Sequence, residues 1–436
     1  MARIVVSSVG SLGDLHPFIA LARGLRARGH EVTFAVERGF VERLRAEGFE
    51  TAPLASDISA LPAPLARQLV TGSDPFAALR VIARDYQGPS LAANIRLLRE
   101  TCAGADLLIA SAGQIAASAV AELTGVRWVT VALSPTIPSA YVPPSPELAR
   151  LRGPLARLAN GAAWRLGALA VACASDGPLN AGRAAVGLPP RKRLLQDGNL
   201  SPLLTAVAWS PACFPRPADW PAHVAVTGFL LWDEPEGWRE PEALTAFLDD
   251  KTGGPVVAVS SGSMGGDVGD AFAPFFRATI AAIHAAGARA LVIGAGAGAP
   301  WASADGDSAT LSVDYAPFSR VYPRCTAVIH HGGAGTLAQS LRAGVPTLVA
   351  PWGADQFFHG ALIERLGVGR VVTRRQYTIQ ARDALVALLT QARYRERART
   401  LAERIADEDG VARLCERVEW ALTQSSATRT ITTPAG

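Results

Sequence analysis

The sequence has two lysines, Lys192 and Lys251; its remaining basic residues are dispersed arginines. No basic block forms, and the formal net charge is +4, so nucleic acid is not an expected partner. Five cysteines, Cys102, Cys173, Cys213, Cys325 and Cys415, lie far apart with no Cys-x-x-Cys. That excludes a disulfide framework and predicts reduced, mostly buried thiols in a cytoplasmic protein. No run of about 18 apolar residues occurs, and the N-terminal apolar stretch is too short for a signal peptide or a membrane span. Charged residues make up only 18% against 49% hydrophobic, which predicts well-buried cores, and 436 residues are too many for one of them.

The most informative stretch is Val328-Ile329-His330-His331-Gly332-Gly333-Ala334-Gly335-Thr336-Leu337. A β-branched run, a glycine turn and an amphipathic helix follow one another. Neither Gly-Lys-Ser/Thr nor Gly-x-Gly-x-x-Gly is spelled here, which excludes a triphosphate loop and a dinucleotide fingerprint. The first N–H groups of a helix lack intrahelical partners and carry the positive end of its dipole, so a diphosphate fits. Thr336 adds a hydroxyl and His330 a ring N–H. A plain glycine turn in an α/β domain is the alternative. Further on, Asp355-Gln356 follows the strand Pro346–Ala350, at the edge where ligands collect in parallel sheets. A carboxylate beside an amide can bind neighbouring sugar hydroxyls.

These two segments resemble the donor-binding signature of family-1 glycosyltransferases with the GT-B fold. The resemblance implies an α/β protein of two Rossmann-like, doubly wound domains facing each other across a cleft. It also implies that His330, Gly332, Gly333, Ala334, Gly335 and Thr336 hold the diphosphate of a nucleotide sugar, and that Asp355 and Gln356 hold the sugar.

At the N-terminus, Ile4 to Ser8 reads as a buried strand that opens a β-α-β-α-β pattern. Its loop, Gly10-Ser11-Leu12-Gly13-Asp14-Leu15-His16-Pro17, puts Asp14 and His16 on the rim of the sheet. Taken alone, Asp14 is an N-cap for a helix starting at Pro17. The family subgroup with Gly-Ser-x-Gly-Asp-x-x-Pro here places its presumed base on that Asp, which implies Asp14 as base and His16 as base or acceptor wall. Ser11, Leu12, His16 and Ser134 are the expected acceptor contacts.

Residues 57 to 100 are hard to read. A helix is expected from Phe76 to Cys102, interrupted near Gly88-Pro89, with Leu79, Ile82, Leu91, Ile95 and Leu98 facing the core or an apolar acceptor cleft. Helices are expected from Leu148 to about Gly187, with Trp164, Leu166 and Leu169 on an apolar face. The Ser-Pro-Thr loop at 134–136, the proline-rich stretch 209–221 and Thr227-Gly228-Phe229 resemble the rhamnosyltransferase branch of rhamnolipid synthesis. In the second half, Gly262 and Ser263 are expected against the nucleotide sugar. Tyr315 and Ala316 stand where the family's Trp-x-Pro-Gln contacts the base, with Phe318 in place of the Gln. Asp305-Gly306-Asp307 spells a metal-binding Asp-x-Asp, but no metal is expected there.

The expected organisation is an acceptor domain at 1–226, a linker at 227–254, a donor domain at 255–410, and a helix with a tail at 411–436 crossing back. The expected activity is inverting transfer of a hexosyl or deoxyhexosyl group from a UDP- or dTDP-sugar to a lipophilic acceptor. The nucleotide sugar is a co-substrate and no cofactor is expected. The protein is expected to be a monomer or homodimer, and an apolar acceptor leaves contact with a membrane surface open. A nucleotide-sugar epimerase or hydrolase of the same fold, or a non-catalytic nucleotide-sugar binder, is the alternative.

Overall fold

The computed structural model describes residues 1–71, 75–145, 147–148, 151–233, 237–250, 252–262, 273–294, 308–353 and 355–424. The first sheet contains β1 (Arg3–Ser8), β2 (Glu31–Val36), β3 (Glu50–Pro53), β4 (Leu107–Ser111), β5 (Trp128–Ala132), β6 (Thr205–Val207) and β7 (Val224–Val226). The second contains β8 (Val256–Ser260), β9 (Arg289–Ile293), β10 (Thr310–Val313), β11 (Ala327–His330), β12 (Thr347–Val349) and β13 (Gly369–Val371). Their orders are β3-β2-β1-β4-β5-β6-β7 and β10-β9-β8-β11-β12-β13. Every pairing is parallel.

Central strands such as β4 and β8 are buried along their whole length. Parallel sheets covered on both faces require such unbroken apolar runs. In each sheet the chain winds outward one way and then returns to the other side of the first strand, at β1/β4 and at β8/β11. Loops diverge at these two reversals and leave crevices at the strands' C-terminal ends. Both crevices open onto one cavity.

Helix Gly410–Thr423 packs on helix Leu12–Ala27, so Leu414, Val418 and Ala421 share a core with Phe18, Ile19 and Leu25. Arg28 ties it down through Glu419 at 2.8 Å. Where the connecting segment passes underneath, a Cβ on Gly410 would stand 2.3 Å from the Phe229 carbonyl oxygen. Only glycine fits there.

Several elements differ from the sequence expectation. The first helix begins at Leu12 rather than at Pro17, which lies inside it. The helical region after residue 148 is largely one helix, Gly153–Ala184, and on it Leu166 and Leu169 are exposed while Trp164 is part-buried. The break near Gly88-Pro89 is a π-helical stretch, Val81–Gln87, running directly into helix Gly88–Thr101. The three-residue strands β7 and β13 are too short to show a periodicity in the sequence, and helix Glu242–Asp249, with buried Leu244 and Leu248 spaced i, i+4, is a further element beyond the expectation. Among the described residues no helix is long and apolar enough to cross a membrane.

Candidate active site

A cavity of about 1350 Å³ lies between the sheets, lined by both halves and by Leu230, Leu231 and Trp232 of the connecting segment. On the first sheet's side the wall is the turn after β1. Gly10 has φ +117°, and a Cβ there would lie 2.6 Å from Asp14 Oδ2. The turn can therefore close over the carboxylate only with glycine. Ser11 is the helix N-cap, and its backbone N–H and hydroxyl donate to Asp14 Oδ2 at 2.8 and 2.9 Å. Asp14 is thus the third residue of the helix, in the capping-box position, and not its cap.

Burial raises the Asp14 pKa above the ordinary carboxyl range; the Ser11 hydrogen bonds oppose that shift and Asp355, across the cavity, adds to it. His16, two residues on, stacks on Trp232 with ring centroids 4.4 Å apart. Its Nε2 is buried without a partner. Burial, and then Arg43, lower its pKa to about 4, so the ring is neutral at pH 7.

The opposite wall is the turn between β11 and helix Ala334–Arg342. Gly333 is the helix N-cap, with no side-chain cap and no acid in the first turn. The first intrahelical bond runs from Leu337 N–H to the Gly333 carbonyl. The N–H groups of Ala334, Gly335 and Thr336 therefore have no partner within the helix, and all three residues line the cavity.

The two histidines exchange places relative to the expectation. His330 is fully buried and does not line the cavity; its Nδ1 accepts the Gly332 N–H at 2.9 Å. It braces the turn from behind, and Gly332 lies behind the lining as well. His331 faces the cavity, although only the first histidine was expected to contribute. Its pKa is lowered to about 4, chiefly by burial and against the pull of Asp355. A Cβ on Gly333 would lie 2.3 Å from His331 Nε2, and one on Gly262 2.6 Å from its Cε1. These glycines make room for that ring.

Asp355 and Gln356 both line the cavity. Gln356 Oε1 accepts from Trp352 N–H at 2.8 Å and from Gly353 N–H at 3.3 Å. Its oxygen is thereby taken up by the loop, and the amide NH₂ remains. Tyr315, Ala316, Phe318 and Gly262 line the same space, as do Ser11 and Leu12. Ser263 and Asp305-Gly306-Asp307 lie outside the described residues.

Ser134 does not line the cavity, contrary to the acceptor contact expected of it. Its hydroxyl is bonded to His359 at 2.9 Å. Of the apolar positions left open, Leu79 and Ile82 line the cavity, whereas Leu91, Ile95 and Leu98 belong to a core. Tyr86 and Gln87, on the π-helical stretch, also face the cavity. Tyr86 donates its hydroxyl to the buried Glu37. Neither is among the residues expected from the sequence, and the π-helical turn that carries them often marks a functional site.

Residues 4–141 match the model of the glycosyltransferase family 28 N-terminal domain. Residues 306–419 match that of the erythromycin biosynthesis protein CIII-like C-terminal domain. The chain is 32% identical to the O-mycaminosyltylonolide 6-deoxyallosyltransferase of Streptomyces fradiae, covering 98% of this chain and 99% of that protein. It is 30% identical to the sterol 3-beta-glucosyltransferase of Emericella nidulans, where the match covers 94% of this chain but 29% of that protein. Among solved structures, the glycotransferase of kitacinnamycin superposes with a TM-score of 0.69 at 21% identity, covering 96% of this chain and 99% of that one. Spinosyn rhamnosyltransferase SpnG complexed with thymidine diphosphate gives 0.64 at 19% identity, covering 96% and 100%. At these identities the structures show the fold, two parallel-sheet domains of the GT-B type.

Proposed function

The chain belongs to the family-1 glycosyltransferases, and on that premise we propose that it moves a hexosyl or deoxyhexosyl group from a UDP- or dTDP-sugar to a lipophilic alcohol, with inversion. The observation that carries this reading is that two sheet reversals face one cavity, one presenting an ionisable carboxylate and the other an uncapped helix N-terminus.

In this scheme residues 1–226 hold the acceptor and 255–410 the donor. Asp14 takes the proton of the acceptor hydroxyl; a raised pKa makes it a stronger base than an ordinary aspartate. The oxygen then bonds to the anomeric carbon from the face opposite the diphosphate, and the bond from that carbon to the diphosphate oxygen breaks. Negative charge grows on the leaving group, where the N–H groups of Ala334 to Thr336 and the Thr336 hydroxyl meet it. A preorganised donor of this kind contributes about 2.7–4 kcal/mol to the rate. The helix end takes the part that a metal ion has in other transferases, and no cofactor enters the scheme. Asp355 and the Gln356 amide bind sugar hydroxyls, and Tyr315 stacks on the base, worth about 1–3 kcal/mol. Ser11 stands at the acceptor side, where Leu12, Leu79, Ile82 and Leu133 supply an apolar wall that favours a lipophilic acceptor.

Thymidine diphosphate in a relative's structure and a deoxyhexosyl donor in another relative's name support the choice of sugar nucleotides. The test is a matrix of UDP- and dTDP-sugars against lipophilic and water-soluble alcohols, scored for released diphosphate and for glycoside by mass spectrometry. Glycosides of lipophilic alcohols are expected. Diphosphate release without any glycoside overturns the transfer.

A further inference from the structure

His359, on helix Gln356–Leu366, is fully buried and has no part in the scheme above. Its Nδ1 lies 2.8 Å from the Gly332 carbonyl oxygen. A carbonyl can only accept, so Nδ1 carries the proton and in the neutral ring Nε2 is the acceptor. The Ser134 hydroxyl, two residues past the end of β5, donates to that Nε2 at 2.9 Å. Trp209, just past β6, stacks on the same ring with centroids 4.7 Å apart. Asp355 Oδ2 stands 3.7 Å from Nε2. One imidazole therefore joins a loop of the first sheet, the glycine turn of the second, and the start of the helix that carries Asp355 and Gln356.

Gly332 needs such a hold. Its φ is +95°, a region where glycine has no side chain to restrict it. Its N–H is fixed by His330 Nδ1 at 2.9 Å; its carbonyl is fixed by His359. The residues after it supply the free N–H groups.

We propose that His359 is a positioning residue that sets the register between the two halves: Ser134 and Trp209 hold the ring, and the ring holds the Gly332 carbonyl. The N–H groups of Ala334 to Thr336 are thereby kept aimed into the cavity opposite Asp14. This rests on the reading of that helix end as the diphosphate site. Ser134, Trp209 and His359 do not themselves line the cavity, so none of them touches a ligand there.

The test is a titration of the full chain with thymidine and uridine diphosphates, alongside melting temperatures. Ser134→Ala removes one end of the relay. His359→Asn places an amide N–H where Nδ1 was, keeping the Gly332 bond but falling short of Ser134. His359→Gln reaches Ser134 but leaves Gly332. One net hydrogen bond is worth about 0.5–1.5 kcal/mol, so Ser134→Ala and His359→Asn are each expected to weaken diphosphate binding about 2- to 10-fold. The double variant is expected to be no weaker than either single one, because both cut the same link. His359→Gln is expected to weaken it more.

A purely structural bond would lower the melting temperature of Ser134→Ala and leave its Kd at the wild-type value; that result overturns the proposal, as does strict additivity in the double variant. Ser134→Ala removes a single hydroxyl and keeps the test open if the His359 variants fail to fold. If the wild type binds neither diphosphate, the donor-site reading fails by itself. The relay is then judged by hydrogen exchange of the Ala334 to Thr336 amides, where faster exchange in Ser134→Ala upholds it and wild-type exchange overturns it.

Discussion

The two halves present the same device to the cavity and finish it in opposite ways. Each sheet reversal starts a helix there. Helix Leu12–Ala27 has an acid in its first turn, and Asp14 accepts the Ser11 N–H at 2.8 Å. Helix Ala334–Arg342 starts from glycine with no acid in its first turn and no side-chain cap. An anion is repelled from the first helix end by Asp14 and drawn to the second by the dipole. What divides the labour is therefore the third helical residue, Asp14 in one half and Thr336 in the other.

The largest effect should come from neutralising the first helix end. Asp14→Asn is expected to lower turnover about 10²- to 10⁴-fold while thymidine diphosphate binds as in the wild type. Initial rates of diphosphate release together with titration check both. The fold offers a control. Asp14 holds its proton more tightly folded than unfolded, so the folded state loses stability as pH rises from about 3.9 through the raised value. Asn, which does not ionise, removes that cost. The variant should melt no lower than the wild type at pH 7, and an unchanged turnover would take the proton transfer away from Asp14.

Making the second helix end like the first is the converse. Thr336→Asp puts a carboxylate among the free N–H groups, where it is good for the helix and bad for an anion. At about 1–2 kcal/mol for such a charge, the Kd for thymidine diphosphate should rise about 5- to 30-fold, with little change in melting temperature. Equal affinity in this variant would mean that the diphosphate sits elsewhere. Gly333→Ala has a smaller expected effect on binding. The new Cβ would be 2.3 Å from His331 Nε2, and displacing that ring should cost about 1–3 kcal/mol of stability, read as a lower urea midpoint.

The sequence was most legible where function is local. Gly332 to Thr336 and Asp355-Gln356 are short runs, and a run of glycines at a strand-helix junction has few physical purposes. Family membership and the paired parallel sheets followed from such runs. Two local signals were misread. Proline is so common at a first helical position that Pro17 suggests a start there, whereas Ser11-x-x-Asp14 spells a capping box that starts the helix at Leu12. Adjacent histidines at a strand end point to different sides, so His330 and His331 cannot share one task. What was not legible is long-range. Ser134 and His359 are 225 positions apart, and no spacing rule connects them. Leu79 and Ile82 face the cavity and Leu91, Ile95 and Leu98 the core, and the π-helical stretch Val81–Gln87, which carries Ile82, changes the helical period between the two sets.

The smallest effect should separate His16 from its neighbour two residues away. Burial lowers the His16 pKa to about 4 and raises that of Asp14, so it weakens the first as a base and strengthens the second. His16→Phe keeps a ring against Trp232 and should hold turnover at pH 7 within about 10-fold, well above what Asp14→Asn retains. Its pH signature has the opposite sign to that of Asp14. The unfolded histidine binds a proton near pH 6.5 and the folded one only near pH 4. Stability from keeping the ring neutral is complete above about pH 6.5 and is lost as pH falls toward 4. Buried His331, lowered to about 4 as well, adds a second loss in the same window. The wild type should therefore melt progressively lower from pH 7 to pH 5, and His16→Phe should flatten that decline without abolishing it. If His16→Phe instead stops turnover as completely as Asp14→Asn does, both side chains of the first helix end move the proton and the contrast between the two ends is no longer one of a single carboxylate.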